Sequence, residues 1–213
     1  MNPRVRTLVV VVVVLVIAHF GTAALRLECG VRSDRWTSLF DLDGESNLPT
    51  WFAATLLLAS AWRCFEAARA DPSPVVRGGF RRLGFVFVAL SCDEVAMVHE
   101  RVAAALLDAA RAHAIPPWTV WALGGVAALA IAAAFVPLLR ALPRAMARSL
   151  VTAGAVFVAG AVGVESIAHG YARAHGFANW TYVLLSAIEE SCEFGGVIAF
   201  LRVMEKTGRA RSS

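Results

Sequence analysis

Carboxylates and imidazoles set into otherwise apolar stretches are the residues of this sequence that could do chemistry. One such stretch carries Ser91-Cys92-Asp93-Glu94 and then His99-Glu100. A second carries Glu165 and His169, a third Glu189-Glu190 and Glu193, and His19 interrupts a valine-rich run near the N-terminus. Glu94, Glu165, Glu190 and Glu193 with His99 and His169 make four carboxylates and two imidazoles. Bundle di-iron and di-manganese sites use that inventory, drawn from Glu and Glu-x-x-His elements on four helices. The spacing here departs from theirs: three residues separate Glu165 from His169, and Glu190-x-x-Glu193 has no histidine. The chemistry expected is a divalent cation (iron, manganese or zinc) ligated by Glu94, His99, Glu165, His169, Glu190 and Glu193. An open position on it would activate oxygen or water against a lipid or hydrophobic substrate, as an oxidoreductase or a hydrolase does. Glu94, His99 and Glu190 are the catalytic candidates, with Asp93, Glu100, Glu189, His19 and Glu45 as further ones.

Helical geometry decides which of these can meet. Glu165 and His169 share a face, as do Glu189 and Glu193, being four apart. Asp93 and Glu100, seven apart, lie on one stripe, whereas Glu94 and His99 are separated by roughly 140° around the axis. At a rise of about 1.5 Å per residue, Glu94, Glu190 and His19 come near mid-membrane, and Glu165, His99 and His169 lie progressively further out. The same column would also serve as a proton relay or hold a transported cation. Three spans followed by three of opposite orientation allow an inverted repeat, although the halves share only Asp93-Glu94 against Glu189-Glu190. A third reading is a non-catalytic subunit. Gly124-Gly125, Gly154, Gly160, Gly163 and Gly195-Gly196 permit close helix approach, within the chain, in a homo-oligomer or with a membrane-complex partner. Singly, the residues have plainer roles: His19 as a packed helix contact, Glu100 as a partner of Arg101, His169 as a solvated group.

The elements that must position these side chains are membrane helices. The chain has 213 residues, 58% hydrophobic and 17% charged, against about a quarter charged in soluble domains. Apolar segments run near 8–25, 50–68, 83–107, 119–139, 149–170 and 181–201, each close to the ~20 residues a span requires. Pro49, Asp71-Pro72-Ser73-Pro74, Pro116-Pro117, Pro143 and Gly176 punctuate them as helix boundaries. The fold expected is all-α, a polytopic membrane bundle of six helices forming a single domain over 1–213. The first segment is read as a retained span, because it is too long for a signal core and Arg26-Leu27-Glu28-Cys29 is no cleavage site.

Basic residues orient the bundle. Fourteen of the 20 lie at the N-terminus, in the second and fourth connections and in the tail, and five lie in the alternate connections. The positive-inside bias puts both termini in the cytoplasm, in agreement with an even number of spans. Trp36, Trp51, Trp118 and Trp180 then fall at the outer boundary, as an interfacial belt. The net charge of +4 is explained by these loops, so nucleic acid is not an expected partner and membrane lipids are. Cys29 and Cys64 fall on opposite sides, while Cys92 and Cys192 fall mid-helix as small apolar filler. No nucleotide-binding loop, nucleophile elbow or CxxCH appears.

Three motifs, Phe40-Asp41-Leu42-Asp43-Gly44-Glu45 through Pro49-Thr50-Trp51-Phe52, Ser91-Cys92-Asp93-Glu94 with His99-Glu100, and Glu189-Glu190 with Glu193-Phe194-Gly195, carry a resemblance. With them the chain resembles an uncharacterised family of bacterial multi-pass membrane proteins. The resemblance implies architecture and a place in the bacterial inner membrane, with no activity attached. It draws notice to Asp41, Asp43 and Glu45 as an outer cation site, against a solvated turn leading into a helix.

Overall fold

A computed structural model describes residues 3–31, 36–116 and 118–212, apart from the side chains of residues 121 and 207–212. Arg32, Arg35 and Pro117 lie outside the described residues, as do the side chains of Arg209 and Arg211. Every regular element among the described residues is helical. They are α1 (Pro3–Leu27), α2 (Leu48–Ala70), α3 (Pro74–Ala96), α4 (Val98–Ala112), α5 (Trp118–Ala133), α6 (Val136–Ala141), α7 (Arg144–Val158), α8 (Glu165–His175) and α9 (Trp180–Ser212). A 3-10 turn, Ser38–Phe40, lies in the first loop, and a π-helical stretch, Ala159–Val164, carries α7 into α8 without a break.

Local chemistry sets the starts. Asn47 caps α2 by accepting from the Thr50 amide at 3.1 Å, with Pro49 in the first turn. Ser73 caps α3 ahead of Pro74, and Asn179 accepts from the Tyr182 amide at 3.0 Å as α9 begins. These residues satisfy amides that a helix start leaves without partners. Gly176, at φ +79°, closes α8.

Among the described residues, three segments are long and apolar enough to cross a membrane: α1, α5 with α6 (Trp118–Ala141), and α7 through α8 (Arg144–His175). The helices α2, α3 and α9 have the length, at 23, 23 and 33 residues, but less apolarity. Arginines fill the first half of α3 and Asp93-Glu94 its end, Glu189, Glu190 and Glu193 sit within α9, and α2 is diluted by Trp51, Trp62 and Arg63. Apolarity thus marks three of the six segments expected.

Two expected helices are broken. The segment 83–107 does not run straight: Met97 takes a left-handed conformation (φ +52°, ψ +41°) between α3 and α4. That conformation is uncommon outside glycine. Asp93 spans the break, its backbone carbonyl accepting from the Met97 amide at 2.7 Å and its carboxylate from the His99 amide at 2.8 Å. Asp93 and Glu100 therefore do not share a helical stripe. The segment 119–139 is interrupted at Ala134-Phe135, between α5 and α6.

At the centre, α9 packs against α1, α2, α7, the π-helical stretch and α8. One apolar core joins α1, α2 and α9 through Leu15, Leu56, Phe194 and Val197, with Leu42 of the first loop inserted into it. A second joins α2, α3, α6, α7 and α9 around Cys64, Phe80, Leu138 and Phe200. The helix α5 packs on α4, and none of its described side chains is buried.

Two glycines let one helix backbone approach another. A Cβ on Gly196 would stand 2.8 Å from the Ala153 carbonyl and 2.8 Å from Phe157 backbone nitrogen, and one on Gly160 2.7 Å from the Glu189 carbonyl. Gly124, Gly125, Gly154, Gly163 and Gly195, expected at helix contacts, have no such neighbour within 4 Å. We expect Gly196→Ala to push α7 from α9 and lose about 1–3 kcal/mol of stability. Gly195→Ala, one residue away, should match or slightly exceed the parent, since alanine favours helix by up to ~1 kcal/mol. Thermal melting of the two variants in detergent checks the pair.

Candidate functional site

The carboxylates of α9 face the widened turn of its neighbour. A π-helical stretch carries more residues per turn and re-aims the helix that follows it, and here Glu165 is the first residue beyond it. Gly160 brings the stretch against α9, where an added Cβ would also meet Glu193 Cγ at 3.1 Å. Glu165 consequently lies within electrostatic reach of Glu189 and Glu193. Glu94, near the end of α3, is in reach of Glu190 and Glu193. Glu94 and Glu193 line one small cavity of about 10 Å³, walled by Ala53, Leu57, Phe157 and Phe194. That is room for one water.

The carboxylates of Glu94, Glu165, Glu189, Glu190 and Glu193 take part in no hydrogen bond or ion pair among the described residues. Among the described residues, every side-chain nitrogen or oxygen sealed from solvent does have a partner, so each of these carboxylates opens onto a crevice. All five side chains are half-buried.

His99 is exposed and tied to Asp93, with Nδ1 2.6 Å from Oδ2. Glu100, in the first turn of α4, is exposed and in electrostatic reach of Glu94, Glu165 and Glu189. The His169 ring uses Nδ1 on its own helix, 3.2 Å from the Glu165 carbonyl. Among the described residues, no three Asp, Glu, His or Cys side chains are gathered so as to hold a metal ion. The ligand set expected from Glu94, His99, Glu165, His169, Glu190 and Glu193 is therefore not assembled. The break at Met97 turns His99 onto Asp93, and the carboxylates are strung along α9 instead of meeting at a point.

The first loop is not a solvated turn, and among the described residues its carboxylates Asp41, Asp43 and Glu45 are not gathered around a metal position. Leu42 is buried in the core at 3% exposure, and its amide donates to His19 Nδ1 at 3.0 Å. An amide can only donate, so Nδ1 accepts and the ring proton is assigned to Nε2. Nε2 then donates to the Val183 carbonyl at 3.3 Å. His19, 1% exposed, is a neutral pin joining α1, the loop and α9. Arg26 donates to Asp41 Oδ2, and Asn47 donates to the carbonyls of Asp41 and Gly44, both at 2.7 Å. Asp43 Oδ1 accepts from Tyr182 Oη at 2.6 Å and from Ser186 Oγ at 3.0 Å. Arg26, Tyr182 and Ser186 carry no mark in the sequence, because their partners lie 15, 139 and 143 positions away in the chain. The acidic motif was the only pointer to them.

The loop carboxylates are shifted in opposite directions. Burial disfavours ionised Asp41, but the Arg26 guanidinium on Oδ2 outweighs this and holds it below the usual 3.8. Burial pushes Asp43 up, and the Tyr182 and Ser186 hydroxyls only partly offset it. Glu45 is also raised, by burial and then by the Glu100 charge. A depressed carboxylate contributes stability above its unfolded pKa and loses it as pH falls through the folded one. A raised one opposes folding at neutral pH. At pH 7, Asp41→Asn should cost about 1–3 kcal/mol, whereas Asp43→Asn should melt at or above the parent temperature. The Asp41→Asn deficit should shrink below about pH 3.8, which melting curves across pH would show.

Residues 7–205, a span taking in every candidate from His19 to Glu193, match a family model described as a domain of unknown function, DUF8692. No curated protein and no solved structure matches the chain. With nearly its whole length matched, the chain belongs to the family defined by this domain of unknown function, DUF8692.

Proposed function

We propose that the chain is a six-span protein of the bacterial cytoplasmic membrane, with both termini inside, that translocates protons through its intramembrane carboxylates. Membrane residence rests on the three long apolar helices. The reading of α2, α3 and α9 as further spans rests on their length and on the central place of α9, where surrounding helices shield its polar residues from lipid. The basic-residue bias supplies the orientation, and Trp36, Trp51, Trp118 and Trp180 are all exposed, as interfacial side chains are.

The observation that carries the proton reading is the run of unpartnered carboxylates. Glu193, Glu94, Glu190, Glu189 and Glu165 each stand in electrostatic reach of others in the set, and Glu45, Glu100 and the His99–Asp93 pair continue it outward. In lipid each charge costs at least about 2.5 kcal/mol on insertion scales, so such a group is neutral only if it carries protons or a cation. A cation requires several ligands around one point, and these groups are strung out. A proton requires only a neighbour: each hop moves it from one carboxyl to the next carboxylate, directly or through a water. Inward of Glu193 the second apolar core, around Phe80, Leu150 and Phe200, closes the path. The run is thus an outer half-path, and release inward would require the helices to part.

Two experiments test this reading. Cys29 is exposed, whereas Cys64 is wholly buried and cannot report on sidedness. In intact cells, an impermeant maleimide should label Cys29 while a C-terminal tag stays protected from added protease. Cleavage of the tag would overturn the topology. In liposomes under a pH gradient, the parent should carry protons at least about tenfold faster than Glu94→Gln or Glu190→Gln, the scale of losing a relay group. Parent flux no faster than the variants, or stoichiometric bound metal in the purified protein, would sink the proton reading.

A further inference from the structure

A second feature stands apart from the carboxylate run. Between the end of α1, the first loop and the start of α9 lies a cavity of about 330 Å³, partly open to the outside. That volume is at the small end of the range for organic ligands. Its walls are largely apolar, from Leu27, Val31, Phe177 and Val183.

The charges that line it do not cancel. Arg26 is spent on Asp41, and His19 is neutral by its bonds to the Leu42 amide and the Val183 carbonyl. Asp43 remains, with Oδ1 fixed by the Tyr182 and Ser186 hydroxyls and no partner on Oδ2 among the described residues. The lining therefore carries one uncompensated negative charge on a carboxylate held rigid by two donors. Beside it, Phe177 and Tyr182 meet edge to face with ring centroids 5.0 Å apart. Such rings attract a cation placed over their faces.

We infer that this outer cavity binds a small organic ammonium ion with an apolar body, its ammonium on Asp43 and its body against Phe177 and Val183. An inorganic cation would leave the apolar walls unused, and a neutral molecule would leave the carboxylate uncompensated. An anion would meet the charge of Asp43. The site is independent of proton movement, since occupancy requires no path to the interior.

Isothermal titration of the full chain in nanodiscs, using benzylammonium and its neutral counterpart benzyl alcohol, tests the assignment. The parent should bind benzylammonium at least tenfold more tightly than the alcohol. Asp43→Asn keeps an oxygen to accept from Tyr182 and Ser186, so the loop stays folded, and it should bring the two affinities within about twofold. Phe177→Ala, at a side chain 60% exposed, should weaken benzylammonium about three- to tenfold while keeping the preference for the amine. Equal affinity of the parent for the two probes, binding of neither, or a preference that survives Asp43→Asn would each overturn the assignment.

Discussion

At Gly160 and Gly196 the backbone of the α7–α8 segment and that of α9 approach until no methyl group fits between them, and the place of every carboxylate on α9 depends on that approach. Where side chains normally hold helix axes 8–10 Å apart, a glycine lets them close. Both glycines lie on the flank of α9 that carries Glu189 and Glu193, one on each helix. The closeness sets Glu165 beside Glu189. It also leaves a gap by Phe157 that is too small for anything larger than a water, at the point where Glu94 and Glu193 face it. Packing and electrostatics are thus a single problem here, because the contact that holds the bundle together crowds the like charges.

Much of the helix pattern can be read from composition. Both ends of the second segment and the start of the last agree with α2 and α9 to within two residues, because Pro49, the Asp71-Pro72-Ser73-Pro74 stretch and Gly176 mark their positions through short-range chemistry. The break at Met97 leaves no such trace. Around it the sequence reads Glu94-Val95-Ala96-Met97-Val98-His99, without glycine or proline, so local propensity favours continuation. What ends the helix is the Asp93 side chain, whose bonding to the His99 amide competes with the helical ladder. The π-helical stretch is equally silent. Its residues Ala159–Val164 would suit an ordinary helix, and the widening shows only against α9.

The candidate site was legible as an inventory and not as an arrangement. Carboxylates in apolar stretches identify themselves by their cost, so Glu94, Glu165, Glu189, Glu190 and Glu193 stand out in the sequence. Their meeting at a point assumed straight helices in register, and two deviations from that, at Met97 and at Gly160, spread them out. The first loop shows the opposite case. Its acidic residues were visible, but their partners Arg26, Tyr182 and Ser186 lie up to 143 positions away, beyond any argument from spacing.

The helix α5 is apolar on every side and buries none of its described side chains. Shape complementarity therefore places no demand on the order of its residues. In a bilayer, fluid acyl chains adapt to whatever surface they meet, so leucine, isoleucine, valine and alanine are close to interchangeable there. Its 16 positions store little information beyond a length and an average polarity. Neutral drift should run fastest along this helix, and related chains would differ most where they look most alike in composition.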